Sequence, residues 1–188
     1  MAIVTAKPMT AAEFAALDID VPVELVRGEI IDVPRPGVPH GIVCANVVYL
    51  FRRWAEASGS LLVVCNNSGV LTESDPDTVR GPDVFLFESS GEQNSSIPDG
   101  FLLTGPLLAV EVLSPWDRWQ ALISKIDEYF TAGTQEVWVI DPELRQLHQH
   151  RTVPPPVTLC EDDVVSSPLL PGFVEPLPEF FRGLPAIS

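Results

Sequence analysis

The run Leu107-Leu-Ala-Val-Glu-Val-Leu113, held between Gly105-Pro106 and Ser114-Pro115, constrains this chain more than any other segment. Apolar side chains on both of its alternating faces describe a strand buried on two sides, so the sheet it enters must carry covering layers above and below. Glu111 interrupts the run. An unpaired carboxylate in such a place costs several kcal/mol, so it must meet a cation or a metal, or hold a proton.

The rest of the chain supplies those layers. Thr10-Ala-Ala-Glu13 is a capping-box signature for a short N-terminal helix ending near Asp18. Val23 to Val26 and Glu29 to Val33 form β-like runs around Arg27-Gly28, a tight hairpin signal. From His40 to Ala57 the periodicity is helical, with Val43, Val47, Leu50, Phe51 and Trp54 inside about 100° of arc and His40 on the same arc. Strand-like runs follow at Leu61 to Cys65, Val70 to Leu71 and Val84 to Phe87, and a polar loop spans Ser89 to Gly100. A second helix is predicted from about Asp117 to Ala132, with Asp117 and Gln120 in capping-box positions and Gly133 as its stop. Val137 to Ile140 and Leu144 to Arg151 complete the strands, joined by the turn Asp141-Pro-Glu143. Strands interleaved with two good helices make an α/β or α+β sandwich, a mixed β-sheet flanked by helices.

With 188 residues, of which 46% are hydrophobic and 20% charged, the chain fits one compact domain over 1–188. Eight prolines after residue 153 predict an extended, surface-hugging C-terminal arm over about 154–188. The formal charge of -15 excludes a protein that coats nucleic acid non-specifically, because such binding runs on counterion release by many cations. No stretch is long and apolar enough for a membrane span, and the N-terminus lacks the apolar core of a secretory signal, so a cytoplasmic protein is expected. Cys44, Cys65 and Cys160 are odd in number and lack CxxC spacing, which favours reduced core thiols over disulfides or a zinc site.

Four more residues stand out beside Glu111. Asp83 opens an apolar strand behind Gly81-Pro82, and two acids on neighbouring strands can hold a divalent ion. The plainer alternative has Asp83 capping a turn while Glu111 pairs with Arg80 or Arg118. Lys125 lies about 40–60° from Leu122 and Tyr129, at the flank of a buried helical stripe, where it either snorkels toward Glu111 or is solvated. His40 is either a histidine at a helix start or a proton carrier. Glu24, among apolar neighbours, either faces solvent by alternation or joins the acids.

Taken together, Glu24-Leu-Val-Arg-Gly-Glu-Ile30, His40, Gly81-Pro-Asp-Val84, Val110-Glu-Val-Leu-Ser-Pro115, Lys125 with Tyr129 and Gly133, and Glu136-Val-Trp-Val-Ile-Asp-Pro142 resemble one family. It is the restriction endonuclease family with the PD-(D/E)XK nuclease fold, long filed as a domain of unknown function, and the likeness runs over roughly residues 8 to 155 in unbroken order. The resemblance implies a restriction-endonuclease-like core: a four-stranded mixed sheet flanked by helices, with the active site at one sheet edge. It makes Asp83 and Glu111 the metal ligands, with the Val112 carbonyl as a third, and sets Glu24 and His40 around the same site. The lysine expected two residues after Glu111 is Leu113 here, and the resemblance gives its role to Lys125. Ala121 stands where relatives commonly carry an aspartate.

The implied activity is a magnesium- or manganese-dependent endonuclease acting on DNA, in a family where homodimers are common. Hydrolysis of an anionic phosphodiester needs a Lewis acid to neutralise an oxygen, and a group such as Lys125 to orient water. Arg27, Arg35, Arg52, Arg53, Arg80 and Arg118 would then supply most phosphate contacts. The acidic balance and displaced lysine favour a second function class, an inactive nuclease-fold domain serving as a binding or assembly module.

Overall fold

The computed structural model describes residues 7–58, 61–88, 97–153 and 155–185. Helix α1 (Ala11–Ala15) carries the predicted capping box: the Thr10 hydroxyl accepts the Glu13 N–H at 3.2 Å, and Glu13 Oε2 accepts the Thr10 N–H at 2.8 Å. Strands β1 (Val23–Val26) and β2 (Glu29–Asp32) pair through Arg27-Gly28, both at positive φ of 51° and 77°. That turn matches the right-handed twist of its strands, and a Cβ on Gly28 would lie 2.4 Å from Pro8.

Helix α2 (Val38–Ser58) is followed by β3 (Leu61–Cys65), β4 (Val70–Glu73), β5 (Thr78–Arg80), β6 (Val84–Glu88) and β7 (Leu108–Val112). Then come α3 (Trp119–Thr131), β8 (Glu136–Asp141), β9 (Gln146–Arg151), β10 (Val157–Leu159), β11 (Val164–Ser166), β12 (Val174–Pro176) and a 3₁₀ turn, Leu177–Phe181. Strand β5 escapes sequence analysis because three residues after a turn-rich stretch are too few to show a period. Residues 89–96 of the polar loop lie outside the described residues, as does Pro154.

The main sheet has the order β10-β9-β8-β7-β6-β3, with β7 and β8 parallel and every other neighbour antiparallel. It is mixed and flanked by helices as expected, but six-stranded where four were implied, because β3 and β10 extend it on either side. Alternation along the central strands separates two cores. Val110, Val112, Trp138 and Ile140 face α2, whose Val43, Val47, Leu50 and Phe51 cover them. Ala109, Val137 and Val139 face α3, covered by Leu122, Ile126 and Tyr129. All five residues of β7 are buried, and Glu111, two positions from Ala109, therefore emerges on the α3 side.

A second sheet, β2-β1-β5-β4, brings Glu24 and Arg80 up beside α3. The proline-rich end is not confined to the surface: Val165, Leu170, Phe173, Leu177, Phe180 and Phe181 are buried against α2 and Trp138, because prolines that break strands still leave apolar side chains to bury. Arg118, not Asp117, precedes α3, and it makes no side-chain cap. The Asp117 carboxylate instead accepts the Ser114 N–H at 2.6 Å, closing the turn that leads out of β7. Gly133 ends the helix as predicted, with its own N–H and that of Thr134 folded back onto Phe130 and Tyr129. Cys65 and Cys160 are exposed, not in the core.

Candidate active site

Strands β6 and β7 run antiparallel with Val84 opposite Val110, so Asp83 and Glu111 stand at the mouth of one strand and near the end of its neighbour. Both strands are interior to the six-stranded sheet, so the two candidate acids lie at strand ends and not on an edge strand. Asp83 is 8% exposed and its Oδ2 accepts the Val112 N–H at 2.7 Å, while His40 Nε2 approaches the same oxygen at 3.1 Å. The Val112 N–H is thus held by Asp83, which fixes the two strand ends against each other. His40 reaches Asp83 because it lies in the first turn of α2, on the arc of Val43 and Val47.

From the other side, α3 lowers Lys125 onto two acids at once: its Nζ lies 2.9 Å from Glu111 Oε2 and 3.0 Å from Glu24 Oε1. Glu111 Oε1 accepts the Tyr129 hydroxyl at 2.6 Å. Glu24 in turn accepts Arg80 at 2.8 Å and the Gly81 N–H at 3.0 Å, and Arg80 grips Glu128 through two bonds of 2.5 and 2.7 Å. Gly81 is needed there, since a Cβ would stand 2.8 Å from the Asn67 carbonyl. Lys125 thus ties Glu24 to Glu111, His40 pairs with Asp83, and the two groups lie near enough for the Asp83 charge to act on Glu111. The alternatives left open by the sequence close accordingly: Glu111 pairs with Lys125 and not with Arg80 or Arg118, Glu24 turns inward, and Lys125 is not solvated.

Three members are not among the candidate site residues of the sequence. Tyr129 enters only in the helical stripe and the family resemblance, Glu128 carries no reading, and Arg80 stands as a partner for Glu111 or a phosphate contact, where its ion pairs go instead to Glu24 and Glu128. The signal was present at helical spacing, because Lys125, Glu128 and Tyr129 fall at i, i+3 and i+4 and so share one face. Arg53 is likewise engaged, with Glu175 and over the Tyr49 ring.

Charge accounting describes what the cluster lacks. Glu24, Asp83, Glu111 and Glu128 bring four carboxyl groups, and Lys125 and Arg80 two permanent cations, so two negative charges are left over when every acid is ionised and His40 is neutral. Burial pushes the Glu111 carboxyl up to about 7, against the pull of Lys125 and with the help of Asp83. Burial alone would depress His40, but its bond to Asp83, the Asp83 charge and the charges of Asp117 and Glu111 raise it above its ordinary value. In Lys125 the burial penalty is outweighed by Glu111 and Glu24, so the ammonium keeps its proton. Carboxylate oxygens in surplus are the hard donors that magnesium or manganese takes, so the residues fit a divalent ion.

A pH dependence of stability follows. Glu111 holds its proton more tightly folded than unfolded, so its contribution is fully present below about 4.5 and is lost as pH rises through about 7. Without divalent ions, stability should fall by on the order of 2 kcal/mol between these limits, and Glu111→Gln should flatten that slope in urea titrations. An unchanged slope in the variant would remove Glu111 as its source.

The Uma2 family model, described as "Putative restriction endonuclease", matches residues 11–178. Among solved structures, a "putative nuclease belonging to DUF820" from Anabaena variabilis ATCC 29413 superposes with a TM-score of 0.79 at 22% identity, covering 93% of this chain and 98% of that one. No curated protein matches significantly. No helix among the described residues is long and apolar enough to cross a membrane. A match that spans both layers, both acids and Lys125 places them all within one known family, and the chain belongs to the Uma2 restriction-endonuclease-like family.

Proposed function

We propose that this chain is a metal-dependent endonuclease that hydrolyses phosphodiester bonds of DNA, with Mg²⁺ (or Mn²⁺) held by Asp83 and Glu111. The observation that carries the reading is two buried groups at the ends of neighbouring strands, Lys125 between Glu24 and Glu111 and His40 on Asp83, with the Asp83 charge acting on Glu111. An ion held by Asp83 and Glu111 would supply Lewis-acid chemistry, offsetting phosphate charge and lowering the pKa of water.

The protein's own groups do the rest. Lys125, fully charged and steered by Glu24, stands beside Glu111 to orient the attacking water and offset charge developing on phosphorus. Tyr129 fixes the second oxygen of Glu111, so the carboxylate presents one orientation. His40, whose pKa its bond to Asp83 raises above the ordinary value, can accept and release a proton beside that carboxylate. Exposed Ile30 and Ile31 on edge strand β2 support a homodimer, which sedimentation velocity reads directly.

Nicking of supercoiled plasmid with and without magnesium tests the reading. Lys125→Met should lower the cleavage rate by about 10–100-fold while calorimetry shows magnesium still bound, because the variant removes a competitor for the carboxylates and not a ligand. Wild-type protein that binds no divalent ion would overturn the proposal. The acidic balance of the chain favours the second reading, an inactive module of the same fold; magnesium binding without nicking of any DNA supports that one instead.

A further inference from the structure

One nucleophilic group near the site has no part in the mechanism above. Cys44 follows His40 by one turn of α2, and its Sγ lies 3.4 Å from His40 Nδ1. The other ring nitrogen of His40 meets Asp83 at 3.1 Å. A thiol sulfur, an imidazole nitrogen and a carboxylate oxygen thus lie within 4.8 Å of one another, on residues buried or half-buried. Sequence spacing argued against a zinc site because no second cysteine pairs with Cys44. The fold supplies the missing ligand from Asp83, just ahead of β6 and 39 residues beyond the thiol.

We propose that His40, Cys44 and Asp83 form a thiophilic cation site that binds zinc or cadmium and, by taking Asp83, excludes magnesium. The proposal rests on the nuclease reading only for its second half; the binding of a soft ion stands on the ligand set alone. Magnesium has little use for sulfur and prefers the all-oxygen side of the cluster, at Asp83 and Glu111. Zinc and cadmium accept sulfur, nitrogen and oxygen together, and three protein ligands with an open position make a familiar zinc arrangement. On binding, the Cys44 thiol gives its proton to solvent as the sulfur–metal bond forms, and His40 binds as neutral imidazole. Two cations sharing Asp83 compete, so the site acts as a built-in brake on the magnesium-dependent reaction.

The test begins on a Cys65→Ser, Cys160→Ser background, which removes the two exposed thiols. Titrating that protein with cadmium chloride should produce the ultraviolet thiolate-to-cadmium absorption, saturating at one ion per chain. Adding Cys44→Ser, or separately Cys44→Ala, should abolish the band and weaken cadmium binding at least about 10-fold in calorimetry. Asp83→Asn should weaken it similarly while leaving a fainter band. Full retention of binding in both Cys44 variants, or no band in the background protein, overturns the site. In nicking assays zinc should inhibit the background protein at a fixed magnesium concentration, and Cys44→Ser should relieve that inhibition without changing the zinc-free rate. Inhibition that persists in Cys44→Ser overturns the brake. If no DNA is cleaved under any condition, the nuclease reading and the brake both fall, and the absorption titration still decides the metal site.

Discussion

Asp83→Asn and Glu111→Gln are each expected to cut magnesium-dependent cleavage at least about 100-fold, beyond what loss of a supporting residue costs. Both substitutions keep shape and volume. Asparagine at 83 can still accept the Val112 N–H, and glutamine at 111 can still accept the Tyr129 hydroxyl, so the backbone and the α3 packing have no cause to move. What changes is charge. Each variant removes one of the two surplus negative charges in the cluster, which weakens the hold on a divalent ion and leaves less repulsion between buried acids. Metal-free stability should therefore equal or exceed that of the parent while magnesium binding is lost. Catalysis and stability then move in opposite directions, which no general unfolding can imitate. Cleavage by either variant within about threefold of the parent would show that the acids do not grip the ion.

The second large effect concerns stability. Trp138→Ala should destabilise the fold by about 3–5 kcal/mol, a large part of the 5–15 kcal/mol typical of a domain. Trp138 is fully buried, and its ring lies 5.4 Å from Phe51, 5.9 Å from Phe173 and 6.2 Å from Phe180. One side chain therefore joins the sheet, α2 and the C-terminal segment, and its removal leaves a cavity that three separate elements cannot all close on. The indole N–H also donates to Glu136 at 2.7 Å, but Glu136 keeps Arg151 and Ser167, so the loss is mainly one of packing. Urea unfolding followed by circular dichroism measures it, and a change below about 1 kcal/mol would show that the C-terminal segment is not part of the core.

Legibility differed among the elements for physical reasons. The capping box of α1, the Arg27-Gly28 hairpin and the stripe of α3 depend on neighbours a few residues apart, so local spacing displays them. The start of α3 misled because Asp117 satisfies two local geometries equally well, a helix cap and a turn, and the turn out of β7 won. Among the candidate site residues, Asp83, Glu111 and Lys125 were conspicuous because a charge inside an apolar pattern is anomalous wherever it occurs. Tyr129 and Cys44 were not, since a phenol on a buried stripe or a thiol in an apolar helix satisfies the pattern without comment. Arg80 misled in the other direction: the sequence offers it to Glu111 or to a phosphate, and only the approach of β5 to α3 delivers it to Glu24 and Glu128.

The sequence by itself determined that a doubly covered strand would carry a carboxylate needing a partner, because apolar residues on both alternating faces of the run set Glu111 among buried neighbours. Tertiary structure alone decided the partner. Which cation meets Glu111, whether His40 faces Asp83, and whether Cys44 stands beside Asp83 depend on contacts between residues 14 to 43 positions apart in the chain, and one charge satisfies a buried carboxylate as well as another until packing selects it.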